Sequence, residues 1–236
     1  MSLIFDGHNL EDLFFCGNPE IVLTNPAPVL NEIGGRDGAV VRSTRLAAKS
    51  IKFDVTALGN SQERATALSA LAGWLNVDGP VRLYLPDTSD HYYLVVPYNS
   101  QQIKPYIDGV TVTLEFMAVE PAAYGETKTA TIPSGGNVSI NIGGNYPTFL
   151  SGSGSVKRGT DFYTITADTG EKLEIPADTT AKAVVFNCED RTLSVAGVST
   201  LPSVSSDWLR LNPGVHTLTN TEGSNAMTVE WTERWL

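Results

Sequence analysis

Three histidines, His8, His91 and His216, are the side chains best suited to move a proton near neutral pH, and they stand in separate turns or strand starts. None has a Gly-x-Ser-x-Gly elbow or an obvious base partner beside it, so the spacing spells no nucleophilic triad. Gly152-Ser153-Gly154 lacks the strand-to-helix context that a nucleophile needs. Asp87, Asp90 and His91 bring two carboxylates and an imidazole into one tight turn, which are metal-ligand types. No further His/Cys cluster completes a coordination shell, and Asp and Ser in turns ordinarily bond their own backbone. Glu115 with Glu120, or Glu171 with Glu174, are the pairs a glycosidase acid and base would require, yet any acidic β protein carries such pairs. Neither Gly-x-Gly-x-x-Gly nor a Gly-Lys-Ser/Thr phosphate loop is present. With no convergent set, no catalytic residue, metal ligand or cofactor is assigned. The chain reads as a structural or binding protein and not as an enzyme.

The bulk composition narrows the partners. Only 18% of the 236 residues are charged and 42% are hydrophobic, so much of the surface must be Ser, Thr, Asn and Gly. The formal charge is −10, and no basic run occurs anywhere. Nucleic-acid binding by phosphate neutralisation is therefore not expected. No apolar run approaches the length of a membrane span. The start, Met1-Ser2-Leu3-Ile4-Phe5-Asp6, has no basic region and no long apolar core, so no secretory leader is expected. Cys16 and Cys188 are too few and too far apart for a disulfide framework and read as reduced thiols.

The elements that would position any site begin with a strand, turn, helix and strand between Ser50 and Leu85. Ile51, Phe53 and Val55 alternate with Lys52, Asp54 and Thr56, the period of a half-buried strand. Ala65, Leu68, Leu71, Ala72 and Leu75 then recur at spacings of three and four, one stripe of a helix over about 60–76. Asn60 or Ser61 caps it, and Glu63 lies near the positive end of its dipole. Before it, residues 20–49 read as a long hairpin whose turn is Gly34-Gly35-Arg36-Asp37-Gly38. This arm, with Asn25, Pro26 and Pro28 at its start, has little to bury on its own and is expected to contact a neighbouring subunit. The apolar patch Leu13-Phe14-Phe15-Cys16 is expected to pack under the sheet, with a subunit contact as the alternative. Val110 to Ala118 alternates cleanly, and Glu120-Pro121-Ala122-Ala123-Tyr124-Gly125 breaks the pattern, which places a domain boundary at 125/126.

From 126 to 236 short strands recur without a helix signal, separated by turn clusters that include Ser151-Gly152-Ser153-Gly154 and Asn212-Pro213-Gly214. Regular punctuation of this kind predicts an antiparallel sandwich. Val138, Ile140 and Ile142, and Met227, Val229 and Trp231, each define one buried face. Trp208, Trp231 and Trp235 are expected to anchor the core or the seam to the first domain, with a sugar-stacking platform as the alternative.

Taken in order, several motifs become specific. Gly35-Arg36-Asp37-Gly38, the alternating strand, a helix ending Gly73-Trp74-Leu75, Arg82-Leu83-Tyr84-Leu85, His91-Tyr92-Tyr93, Leu114-Glu115-Phe116 and residues 120–125 follow one another. Then come Gly143-Gly144-Asn145-Tyr146-Pro147, the segment from Trp208 to His216 and the closing run from Met227 to Leu236. The ordered set resembles the distal tail protein family of long, non-contractile-tailed phages, with His216 where the family usually has Asn.

The resemblance implies a mainly β fold: an N-terminal β domain with one helix and a projecting hairpin arm, and a C-terminal galectin-like antiparallel β-sandwich. It implies a homo-oligomer, usually a ring of six subunits, closed through the arm residues Asn25, Pro26, Pro28, Gly34, Gly35, Arg36, Asp37 and Gly38. Such a ring would join the tail-tube protein to the tail-tip protein and carry receptor-binding proteins, within a virion assembled in the bacterial host cytoplasm. The chain has no insert long enough for the sugar-binding module that some relatives carry. A carbohydrate-binding or adhesin protein acting through the C-terminal sandwich is the competing reading, and a glycoside hydrolase a third.

Overall fold

Strand Lys49–Leu58 is the axis of the first half of the computed structural model, which describes residues 2–22, 26–35, 37–88, 90–99, 102–157, 162–177, 180–220 and 225–236. Ile51, Phe53, Val55 and Ala57 are buried while Lys52 and Asp54 are exposed, as the period of two requires. The strand pairs antiparallel along its whole length with Gly109–Ala118, from Leu58 opposite Gly109 to Lys49 opposite Ala118. The chain divides into two compact units, Met1–Tyr124 with Leu236, and Gly125–Trp235.

In the first unit, Gly109–Ala118 also pairs with Gln102–Pro105 at one end and Tyr92–Pro97 at the other. Beyond these lie Val81–Tyr84, Ile4–Phe5 and His8–Asn9. Two short strands, Phe15–Cys16 and Glu20–Ile21, line the other edge of Lys49–Leu58. Helix Ser61–Trp74 packs on the inner face. Asn60 caps it as expected: its side chain accepts from the Gln62 and Glu63 amides at 2.9 and 3.0 Å, and Glu63 Oε2 accepts from the Asn60 amide at 2.9 Å.

The buried helix face differs from the expected stripe. Ala67 and Leu71 are buried, with Leu68, Trp74 and Leu75 packed beside them, while Ala65 and Ala72 are exposed. Alanine carries too little apolar surface to fix which way a helix rolls. Trp74 does so here by stacking on His8, with ring centroids 4.6 Å apart.

The second unit is a sandwich of two antiparallel sheets. One runs in the order Ala123–Ile132, Met227–Trp235, Ser151–Val156, Lys182–Asn187, Thr192–Val195, Val198–Ser199, and the other Asn137–Ile142, Gly214–Asn220, Phe162–Ala167, Lys172–Pro176. Ile140, Ile165, Leu173 and Leu218 from one sheet share a core with Val184, Phe186, Val229 and Trp231 from the other. Trp208 packs against this core and Trp235 is half-buried.

Ser151-Gly152-Ser153-Gly154 is not the turn its composition predicts but the start of a central strand, Ser151–Val156. Its glycines make room for neighbours. A Cβ on Gly152 would meet the Phe186 ring at 2.6 Å and the Thr228 carbonyl at 2.7 Å, and one on Gly154 the Met227 sulfur at 2.8 Å.

Candidate functional site

Most of the residues that could have done chemistry are engaged in hydrogen bonds of their own. Asp87 lies in the 3-10 turn Pro86–Thr88, and the His91 amide donates to the Thr88 carbonyl at 3.0 Å, ordinary turn bonding. Among the described residues no group of three or more His, Cys, Asp or Glu is placed to hold a metal ion. Glu115 accepts from Asn99 Nδ2 at 2.9 Å, whereas Glu120 accepts from the Tyr124 hydroxyl at 2.5 Å. Glu171 accepts from the Arg210 amide at 3.3 Å, and Glu174 from Lys172 at 2.6 Å and Ser205 at 2.5 Å. Those two contacts hold the Glu174 carboxyl down to about 2, ionised and unsuited to proton donation near neutrality. Burial and the neighbouring Glu11 push the Cys16 thiol up to about 11, and burial pushes Cys188 up to about 12, so neither is a ready nucleophile.

One pairing escaped the sequence. His216 Nδ1 lies 3.0 Å from Asp168 Oδ1, and its Nε2 lies 2.8 Å from the Asn212 carbonyl oxygen. No local signal could link residues 48 positions apart. The pair crosses within one sheet, from strand Gly214–Asn220 to the turn after Phe162–Ala167, and ties down the Asn212-Pro213-Gly214 corner.

Exposed apolar surfaces stand out instead. The arm is a two-stranded hairpin, Pro26–Glu32 paired with Ala39–Leu46 from Pro26 opposite Leu46 to Glu32 opposite Ala39, with a bulge between Val29 and Leu30. Gly35 and Gly38 take φ of +83° and +87°, which supplies the expected turn. Pro26, Pro28, Gly34, Gly35, Asp37 and Gly38 are all exposed, while Asn25 and Arg36 lie outside the described residues. Large apolar side chains of the arm are exposed too: Leu30 is 57% and Val41 55% accessible, with Val29, Ile33 and Val40 also outward. A two-stranded ribbon alone is marginal in water, and apolar side chains on both of its strands mark a contact surface.

A second apolar surface lies at the far end of the sheet, and it corrects the expectation for residues 13–16. Only Phe14 is buried, and Cys16 is half-buried. Phe15 stands opposite Thr56, on the polar face, and is 70% accessible. Alternation forces this: once Phe14 and Cys16 point inward, Phe15 cannot. With Leu13 and Leu58 it lines a groove of about 480 Å³ whose rim carries Glu11 and Asp12.

The sandwich offers less. Among the described residues no aromatic side chain of this unit is exposed; Tyr146, Phe149, Phe162, Trp208 and Trp235 are half-buried, and Tyr163, Phe186 and Trp231 are buried. The segment Gly143-Gly144-Asn145-Tyr146 packs on the closing strand. The Gly143 amide donates to Glu233 Oε1 at 3.0 Å, and the Asn145 and Tyr146 amides donate to the Arg234 carbonyl at 3.0 and 3.2 Å.

Comparison with known proteins agrees with this architecture. The family described as phage tail protein RIFT-related domain matches residues 5–117, and the siphovirus-type tail component, C-terminal domain, matches residues 143–235. No curated protein matches the sequence. Among solved structures, the Dit protein of phage SPP1, described as a hub of the adsorption apparatus in phages infecting Gram-positive bacteria, superposes with a TM-score of 0.79 at 20% identity, over 100% of this chain and 99% of that one. A chain of the phage P2 baseplate, in its activated conformation with Ca, superposes with a TM-score of 0.53 at 9% identity, over 96% of this chain and 92% of that one. Two family matches in order along the chain, one on each unit, together with a fold shared from end to end, lead to one conclusion: the chain belongs to the distal tail protein family, structural components of phage tails and baseplates.

Proposed function

We propose that this protein is a ring-forming hub at the phage tail tip, joining the distal end of the tail tube to the tail-tip protein and carrying receptor-binding proteins. Its work is geometric: copies tile head to tail around an axis, six in the ring, and no covalent bond is made or broken. The protein would be made in the host cytoplasm and end in the virion. The observation that carries the reading is the exposed hairpin arm, whose apolar side chains on both strands are left uncovered within the chain. A closed ring built from one kind of subunit needs two different complementary surfaces on each copy, and each contact must bury well over roughly 1,000 Å² to hold.

Removing the whole hairpin, residues 25–46, tests this. The arm is its own two-stranded sheet, so the shortened chain should keep its fold and lose its assembly. Sedimentation should show a monomer with unchanged circular dichroism. Intact rings from the shortened chain would refute the role of the arm.

A further inference from the structure

We propose, resting on the ring described above, that strand Ala39–Leu46 of one copy lies in the groove beside Phe15–Cys16 of a second copy, with Arg42 and Arg45 against Glu11 and Asp12.

The arm has two edges, and they differ. Pro26 and Pro28 have no N–H, and a paired strand keeps proline where the missing donor faces away from its partner. The outer edge of Pro26–Glu32 therefore lacks donors at both positions and is a poor template for another strand. Ala39–Leu46 contains no proline, so its outer edge keeps its donors. On the receiving side, Phe15–Cys16 pairs with Lys49–Leu58 along one edge, and among the described residues no strand pairs with its other edge. Strand addition to an open edge supplies main-chain hydrogen bonds, and side-chain pockets supply the register.

The side chains agree. The arm strand carries an exposed valine on each face, Val40 and Val41, so either face brings one of them to Leu13, Phe15 and Leu58 in the groove, all exposed in a single copy. Charge selects this pairing over others. In a chain of net charge −10, residues 39–46 hold two arginines and no carboxylate, and the groove rim holds Glu11 and Asp12 and no basic residue. Complementary charges beside an apolar contact fix register and speed encounter. Donor and receiver surfaces also lie on the same unit, so each copy can give an arm and take one, as head-to-tail closure demands.

Charge reversal provides the test, because all four charged residues are exposed and their exchange should leave circular dichroism unchanged. The variants E11R/D12R and R42E/R45E are purified separately and sedimented beside the wild type. Each alone should associate at least about tenfold more weakly, since one contact in every repeat becomes repulsive. An equimolar mixture should regain wild-type assembly: alternating copies pair the reversed groove with the reversed arm and the native groove with the native arm. Either variant assembling like the wild type, or a mixture that stays dissociated, would overturn the proposed pairing while leaving the ring intact as an idea. A wild-type chain that is monomeric at every concentration would overturn the ring, and the pairing with it.

Discussion

Phe15 stands directly opposite Thr56, and this register turns its ring out of the core while Phe14, one residue earlier, is buried. The two neighbours should therefore respond differently to substitution. Phe14→Ala is expected to cost about 3–5 kcal/mol, the range for emptying a buried phenylalanine site. Phe15→Ser should change stability by no more than about 0.5 kcal/mol, as for an exposed position, and should weaken self-association instead. Urea unfolding of both variants checks this; equal losses would contradict the assigned register.

Gly144 and Gly170 have similar left-handed backbones, φ +87° and +92°, but different surroundings. A Cβ at 144 would overlap the Arg234 carbonyl oxygen, whereas one at 170 meets nothing within 4 Å. Gly170→Ala should cost about 1–2 kcal/mol of backbone strain alone. Gly144→Ala should cost more, because the backbone of the closing strand must also move. Calorimetry of the two variants would separate strain from crowding, and a Gly144→Ala loss no larger than that at 170 would refute the close packing.

Acid should expose the role of two carboxylates. The hydrogen bond from His216 holds the Asp168 carboxyl below its ordinary value, and Lys172 and Ser205 hold Glu174 at about 2. Both folded values lie below the unfolded ones, so the stabilisation is full above about pH 4 and is lost as pH falls through the folded values. The melting temperature should fall between about pH 4 and pH 2, and less steeply in Asp168→Asn and Glu174→Gln. Unchanged slopes in both variants would contradict the assignment.

Lys49 faces inward from the same side of its strand as Ile51 and is buried, with Nζ 5.0 Å from the centre of the Tyr93 ring. Burial lowers its pKa, so the unfolded chain holds the proton more tightly and the native state is penalised wherever the lysine is charged. Stability should rise as pH climbs through the lowered value. At neutral pH, Lys49→Met should stabilise the fold by about 1 kcal/mol, and that gain should shrink at alkaline pH. A destabilised Met variant at pH 7 would show that the contact with Tyr93 outweighs the cost of burial.

Much of this was legible in the sequence where one physical rule acted alone. The alternation of residues 50–56, the Asn60 cap and the glycine turn of the arm are local, and each appears where its pattern places it. The misreadings arise where a distant partner decides. Ala65 and Ala72 satisfy helical spacing but carry too little surface to outvote Trp74 on His8. Ser151-Gly152-Ser153-Gly154 has the composition of a turn, yet Phe186 and Met227 require glycine in the middle of a sheet. Leu13 and Phe15 are apolar enough for a core, and only the register to Thr56 reveals that they face out. The His216 to Asp168 contact joins residues that no local pattern relates.

The most direct test of the account is the native mass of the purified chain in near-physiological buffer across a range of concentrations. A hub that tiles through its arm should appear as a closed species six times the 25.3 kDa chain, with few intermediates. A single 25.3 kDa particle at every concentration would contradict it.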